Sequence, residues 1–205
     1  MIQIKNLNIN FKQESIFKDF SLNIAKGDKV AITGESGKGK STLLHLLSGF
    51  INDYEGLVII NGHTLSAQNI DAIRQNIAWL PQDISFNLST VNELLHVPFS
   101  FAQNKHLKPS PNKIKDILKA LDLPKDILSK KVKEISGGQK QRVILASLLL
   151  MKKPLLLLDE PTSALDTRIK KKVSDYILSQ EGLTVIAATH DEDWMKQSNQ
   201  IIHLQ

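Results

Sequence analysis

The sequence has 205 residues, 41% of them hydrophobic and 23% charged, enough to bury one core and too ordinary for a disordered or fibrous chain. A formal net charge of +5 suits nucleic acid, an anionic membrane surface or nucleotide phosphates, and equally a well-solvated surface, so sign alone does not choose. The absence of cysteine excludes disulfides and thiolate metal sites, and the six histidines lack ligand spacing.

The first residues, Met1 to Leu7, alternate apolar and polar side chains as a strand does and lack the continuous apolar core of a secretory signal, so a cytoplasmic chain is expected. Ile2 to Ile9 and Phe20 to Ile24 read as strands, and Lys29 to Thr33 as a short buried one. Ser41 to Leu47 reads as a helix, Leu57 to Asn61 as a strand followed by the Asn61-Gly62 turn, and Ile77 to Leu80 as a strand stopped by Pro81. These elements predict a mixed sheet around one helix.

Strand signals disappear between Gln82 and Ile135. Helical patterns replace them at Val91 to Leu95, Lys113 to Leu121 and Lys125 to Lys130, punctuated by Pro98, Pro109, Pro111 and Pro124. Beyond lie a helix over Gln139 to Met151, an all-apolar strand over Leu155 to Leu158, a helix over Arg168 to Ser179 and a buried strand over Thr184 to Ala188. This alternation implies a parallel sheet. The apolar run Val143 to Met151 ends at Lys152 and Lys153, short of the roughly 18 to 20 residues that span a bilayer.

Gly34-Glu35-Ser36-Gly37-Lys38-Gly39-Lys40-Ser41 fits a phosphate-binding loop and lies where one has to lie, after a buried strand and before a helix. Its glycines let backbone N–H groups point inward around phosphates, the helix N-terminus favours negative charge, and Lys40 adds a point charge. Ser41 is suited to giving its hydroxyl to Mg²⁺, with Thr42 beside it at the start of the helix. Asp159 and Glu160 follow the Leu155 to Leu158 strand, at the strand end where ligands gather in open α/β sheets. Asp159 is the natural carboxylate to help hold Mg²⁺, and Glu160 the one to polarise an attacking water.

From end to end the chain resembles an ATP-binding cassette (ABC) nucleotide-binding domain. Ile135-Ser136-Gly137-Gly138-Gln139-Lys140-Gln141-Arg142 closely matches the family signature LSGGQxQR, with Ile in place of the first Leu. The resemblance implies an α/β P-loop NTPase fold of the ABC type, with a mixed or parallel sheet core, an antiparallel β subdomain and an inserted helical subdomain. Residues 1–82 and 136–205 would form the nucleotide-binding core, and 83–135 the helical insertion.

It also implies roles. Ser136, Gly137, Gly138 and Gln139 would bind the γ-phosphate of ATP held by a second copy of the chain. Gln82 would reach Mg²⁺ and the attacking water, and His190 would contact the γ-phosphate. Asp166, in Ser163-Ala164-Leu165-Asp166, would touch the opposite copy, with a helix N-cap as a parallel role. Phe11 stands where the family stacks an aromatic, more commonly Tyr, on adenine. Lys38 occupies a loop position that is often small, either adding charge near phosphate or facing water.

On this resemblance the cofactors are ATP and Mg²⁺. The partners are a second copy in an ATP-dependent homodimer and an integral membrane permease, with no nucleic acid. The protein would lie on the cytoplasmic face of the membrane. Phe86 and Leu88, in the loop after Gln82, are candidates for permease contact or equally for burial within the domain. The short stretch after His190 leans towards an exporter or lipoprotein-release type, and Thr90 to Gln103 faintly resembles cassettes of metal efflux. The competing readings are non-transport cassette ATPases acting on DNA or on ribosomes.

Overall fold

A computed structural model of the protein describes residues 1–11, 14–83 and 88–204. Two sheets organise the chain. Strands β1 (Ile2–Phe11), β2 (Glu14–Ile24), β4 (Glu55–Ile60) and β5 (His63–Thr64) pair antiparallel in the order β2-β1-β4-β5. Strands β3 (Lys29–Thr33), β6 (Ile77–Leu80), β7 (Leu155–Asp159), β8 (Thr184–Ala188) and β9 (Gln200–His203) form a parallel sheet in the order β6-β7-β8-β3-β9. The single mixed sheet expected for the first half is therefore two sheets, with β3 and β6 leaving their sequence neighbours to flank β7 and β8. A period of two tells which face of a strand is apolar and says nothing about its hydrogen-bonding partner.

The central parallel strands β7, β8 and β3 are buried on both faces, as strands between two layers must be. Their side chains alternate between two cores. Leu156, Leu158, Val185, Ala187 and Ala31 face one that includes the helices of residues 91–150, while Leu155, Leu157, Ile186, Ala188, Val30 and Ile32 face another shared with helix α1 (Lys40–Leu47) and the antiparallel sheet. Between the sheets, α1 contributes Leu43, Leu44, Leu46 and Leu47, each fully buried. Burying such a leucine is worth about 1.5–3 kcal/mol, so this double core supplies much of the driving force for folding.

Helix α2 (Ile70–Arg74) precedes β6, and the chain then turns helical: α3 (Val91–Ser100), α4 (Pro111–Ala120) and three short 3₁₀ turns lead to α5 (Gly137–Leu150). A capping box between Thr90 and Glu93 starts α3. The helix runs through Pro98, past the expected stop at Leu95, because buried Leu94, Leu95 and Phe99 hold it to the core. Lys125 to Lys130 forms only a 3₁₀ turn over Ile127–Ser129.

Arg142 of α5 is buried and donates to the carbonyls of Gly138, Leu121 and Asp122, joining α5 to the turn after α4. Helices α6 (Thr167–Leu178) and α7 (Glu192–Gln197) complete the fold. No helix among the described residues is long and apolar enough to cross a membrane. Leu88 is partly buried against the core, and Phe86 lies outside the described residues.

Candidate nucleotide site

The parallel strand order assembles the site. Neighbouring strands β6, β7, β8 and β3 end, respectively, just before Gln82, at Asp159-Glu160, just before His190 and at the Gly34–Lys40 loop. Four segments far apart in sequence thus meet outside the carboxyl ends of adjacent strands. Ser36, Gly37, Gly39, Lys40, Ser41, Thr42, Gln82, Asp159, Glu160 and His190 line one cavity of about 300 Å³. A larger cleft of about 600 Å³, lined by residues such as Lys26, Lys153 and Tyr176, contains none of the motif residues.

The loop is held by its glycines. Gly39 is the N-cap of α1 with φ of 89°, and a β-carbon on it would meet Ile16 Cγ2 at 2.8 Å and Phe17 Cζ at 3.0 Å. Glycine alone accommodates both the backbone sign and the approach of β2. Lys40 Nζ donates to the carbonyls of Gly34 at 2.7 Å and Glu35 at 2.9 Å, which folds the side chain back over its own loop. Lys38 is exposed and is not among the residues that line the cavity.

Asp159 is only 4% exposed at the end of β7. The Glu160 carboxyl is pushed up by burial, opposed by His190, whose Nε2 lies 3.7 Å from Glu160 Oε1, while Asp159 adds to the rise and Lys40 and Lys170 oppose it. Glu160 has φ of 49°, a left-handed conformation uncommon for a residue with a β-carbon. Its N–H donates to Ala188 O at 2.9 Å, and its carbonyl accepts from Gln141 Nε2 at 3.0 Å and Ser163 Oγ at 3.1 Å.

The remaining expected contacts lie outside this cavity. Ser136 caps α5 through a reciprocal pair with Gln139, whose N–H donates to Ser136 Oγ at 3.2 Å while Gln139 Oε1 accepts from Ser136 N at 3.0 Å. Gly137 has open space around it, and Gly138 packs against the Ala164 carbonyl. Asp166 caps α6 by accepting from Ile169 N at 3.0 Å. Phe11 is half exposed at the end of β1, and Gly34 and Glu35 meet the site through the Lys40 side chain.

Sequence reasoning passed over Gln141 and Asp191. Asp191 caps α7 and accepts from Thr162 Oγ1 at 2.9 Å, tying the turn after Glu160 to the segment after His190. An N-cap Asp ahead of a short helix was the available signal.

Parallel strands that deliver a glycine loop, a lysine and two carboxylates to one cavity define a P-loop nucleotide-binding protein. Residues 17–163 match the family model described as ABC transporter. The chain is 37% identical over 197 residues to the ergothioneine transport ATP-binding protein EgtV of Helicobacter pylori, covering 94% of this chain and 91% of that protein. It is 32% identical to the probable iron export ATP-binding protein FetA of Escherichia coli, over all of this chain and 91% of that one. Other relatives carry the names of import or energy-coupling factor systems. Among solved structures, a dimeric ATP-binding cassette in a post-hydrolysis state with ADP and Pi is 29% identical with a TM-score of 0.83, covering 100% of this chain and 94% of that one.

The chain belongs to the ABC transporter family. It is an ATPase of the ATP-binding cassette type.

Proposed function

We propose that this protein is the motor subunit of a transporter, hydrolysing Mg-ATP at two composite sites formed by a head-to-tail pair of chains and driving a separate membrane permease from its cytoplasmic face. One observation carries the reading. Lys40, Glu160, His190 and Gln82 share a cavity, while Ser136 to Gln139 of the same chain lie outside it. A second copy is the natural source of the missing serine-bearing helix end, because such an N-terminus favours a phosphate. The dimeric state of the solved cassette supports the same arrangement.

The donors present fit magnesium. Ser41, Gln82 and Asp159 bring a hydroxyl, an amide and a carboxylate to one cavity, the all-oxygen set this hard cation selects. When bound, the ion would neutralise charge on the phosphate oxygens.

The chain's own residues divide the rest of the work. Loop N–H groups from Ser36 to Thr42 and the Lys40 ammonium hold the phosphates, while Glu160 takes a proton from the attacking water. His190 contacts the γ-phosphate beside that carboxylate, and the partner's signature helix adds donors to the charge that spreads in the transition state. Phe11 stacks on adenine. Asp166 reaches the second copy while capping α6.

Residues 1–82 and 136–205 form the ATP-binding core in this reading, and 83–135 a helical part that meets the permease. The names of the relatives support transport over action on DNA or ribosomes. The finer reading of an exporter or lipoprotein-release motor has the iron-export relative behind it, whereas relatives named for import stand at similar identity. The proposal therefore concerns the motor, and the permease decides direction and cargo.

The test is Glu160→Gln. The variant is expected to bind Mg-ATP, hydrolyse it very slowly and accumulate as an ATP-dependent dimer on size exclusion. Wild-type turnover by this variant would remove Glu160 from the water-activating role.

A further inference from the structure

The Gln141 side chain occupies an unusual junction. It belongs to α5, one turn beyond the capping residue Ser136, and lines no part of the nucleotide cavity. Its Nε2 donates to the main-chain carbonyl of Glu160 at 3.0 Å, and its Oε1 accepts from the main-chain N–H of Ala164 at 3.3 Å. Partner chemistry fixes the orientation of the amide, because the carbonyl requires a donor and the N–H an acceptor. One side chain therefore grips both ends of the turn that follows β7.

That turn begins with a strained residue. Glu160 sits at φ of 49°, and a non-glycine residue held in this region costs about 1–3 kcal/mol unless its surroundings over-determine it. Ser163 Oγ also bonds the Glu160 carbonyl, but Ser163 belongs to the same turn and moves with it. Ala188 O, which accepts from Glu160 N, anchors the residue to β8. Among these bonds, Gln141 provides the one from the helix that begins with Ser136 to Gln139.

We infer that Gln141 is a positioning residue for hydrolysis: by holding the Glu160 carbonyl and the Ala164 N–H it sets the direction of the Glu160 carboxylate, and it makes that direction depend on where the signature helix stands. The inference rests on the proposed role of Glu160. It adds a route by which the helix end that contacts ATP in one composite site reaches the water-activating group of the other. Gln141 lies outside the lining of the nucleotide cavity, so its removal lowers turnover without lowering nucleotide affinity.

The full chain with Gln141→Ala is compared with wild type in kcat, KM, Mg-ATP affinity by a fluorescent ATP analogue, and melting temperature. The expected result is a 10- to 100-fold fall in kcat with KM and affinity within about twofold of wild type. Gln141→Glu keeps an acceptor for Ala164 N–H but places a carboxylate against the Glu160 carbonyl. It is expected to fall as far, and it serves as the working variant if Gln141→Ala does not fold.

A packing role would not reproduce a second readout. Added to Glu160→Gln, Gln141→Ala should slow single-turnover hydrolysis by less than twofold more, because both changes act through one carboxylate. Wild-type kcat in both Gln141 variants, a matching loss of ATP affinity, or a full independent loss in the double variant overturns the inference. Absence of Mg-ATP binding and phosphate release by the wild-type chain would instead sink the ATPase site assignment itself.

Discussion

Gly138 and Ala164 meet so closely that a β-carbon on Gly138 would stand 2.8 Å from the Ala164 carbonyl oxygen. The obstacle is backbone and cannot swing aside as a flexible side chain would. The first turn of α5 and the turn after Glu160 are therefore packed as one unit, a contact that Gln141 reinforces from one turn further along the helix.

Neighbouring glycines should separate folding from function. Gly138→Ala is expected to melt lower than wild type and to lose most ATPase activity, since the helix or the turn has to shift. Gly137→Ala meets nothing within 4 Å in its own chain, so the isolated chain should be as stable as wild type. On the head-to-tail reading its ATP-dependent pairing should nonetheless weaken, because the added methyl faces the phosphate held by the other copy. Melting temperatures together with size exclusion in Mg-ATP check both; unimpaired pairing by Gly137→Ala would argue against the composite site.

Glu160 gives the pH dependence a definite sign. Burial raises its carboxyl in the free chain, and in the proposed role of general base it works only when deprotonated, so kcat/KM should fall on acidification at a pH above the ordinary glutamate value of about 4.3. The stability effect has the opposite direction. A carboxyl with a raised folded pKa favours the native state below the unfolded pKa, and this contribution is lost as pH rises through the folded value. Glu160→Gln should therefore melt higher than wild type at neutral pH. A pH–rate profile with its acid limb at or below pH 4.3 would contradict the first expectation, and an unchanged melting temperature the second.

Asp122 shows the other sign. Its carboxylate accepts from Lys172 at 2.5 Å and from Arg168 at 3.4 Å, and the Lys172 hydrogen bond holds its pKa below the usual range. The resulting stability is complete above the unfolded pKa and disappears as pH falls through the depressed folded value. Asp122→Asn tolerates the φ of 57° and should cost about 0.5–1 kcal/mol at neutral pH, whereas Asp122→Ala should cost about 1–2 kcal/mol more from left-handed strain. Urea unfolding at neutral and acid pH would show the wild type and Asp122→Asn converging at the acid end; a constant gap would remove the ion pair as the cause.

Much of this site was legible because its residues come in contiguous strings. Gly34 to Ser41 and Leu155 to Glu160 each carry their own strand or helix context, and β3, β6 and β8 begin and end where apolar runs and turn residues place them. Features set by distant partners were not legible. The split into two sheets, implied by the family resemblance, could not be read from the strand patterns, because it depends on Ile77 pairing with Leu155 and Lys29 with Val185. Gln141 falls within the signature string, but nothing in that string shows its partners until the folded chain brings Glu160 and Ala164 to it. Short β5, α2, α7 and β9 carry too few residues to establish a period, and their existence depends on packing against elements already formed.

The neighbouring positions of β6 and β7 have a consequence for ancestry. Between β6 and the signature helix α5, the described residues from 88 to 135 form an excursion that leaves the sheet after one strand and leads back through α5 to its neighbour β7, like a long drawer set into a cabinet. Natural selection can lengthen, trim or resurface that excursion while the strand tips that line the cavity keep their spacing. On the proposed reading one engine can thus be refitted to different gates with no change in its chemistry.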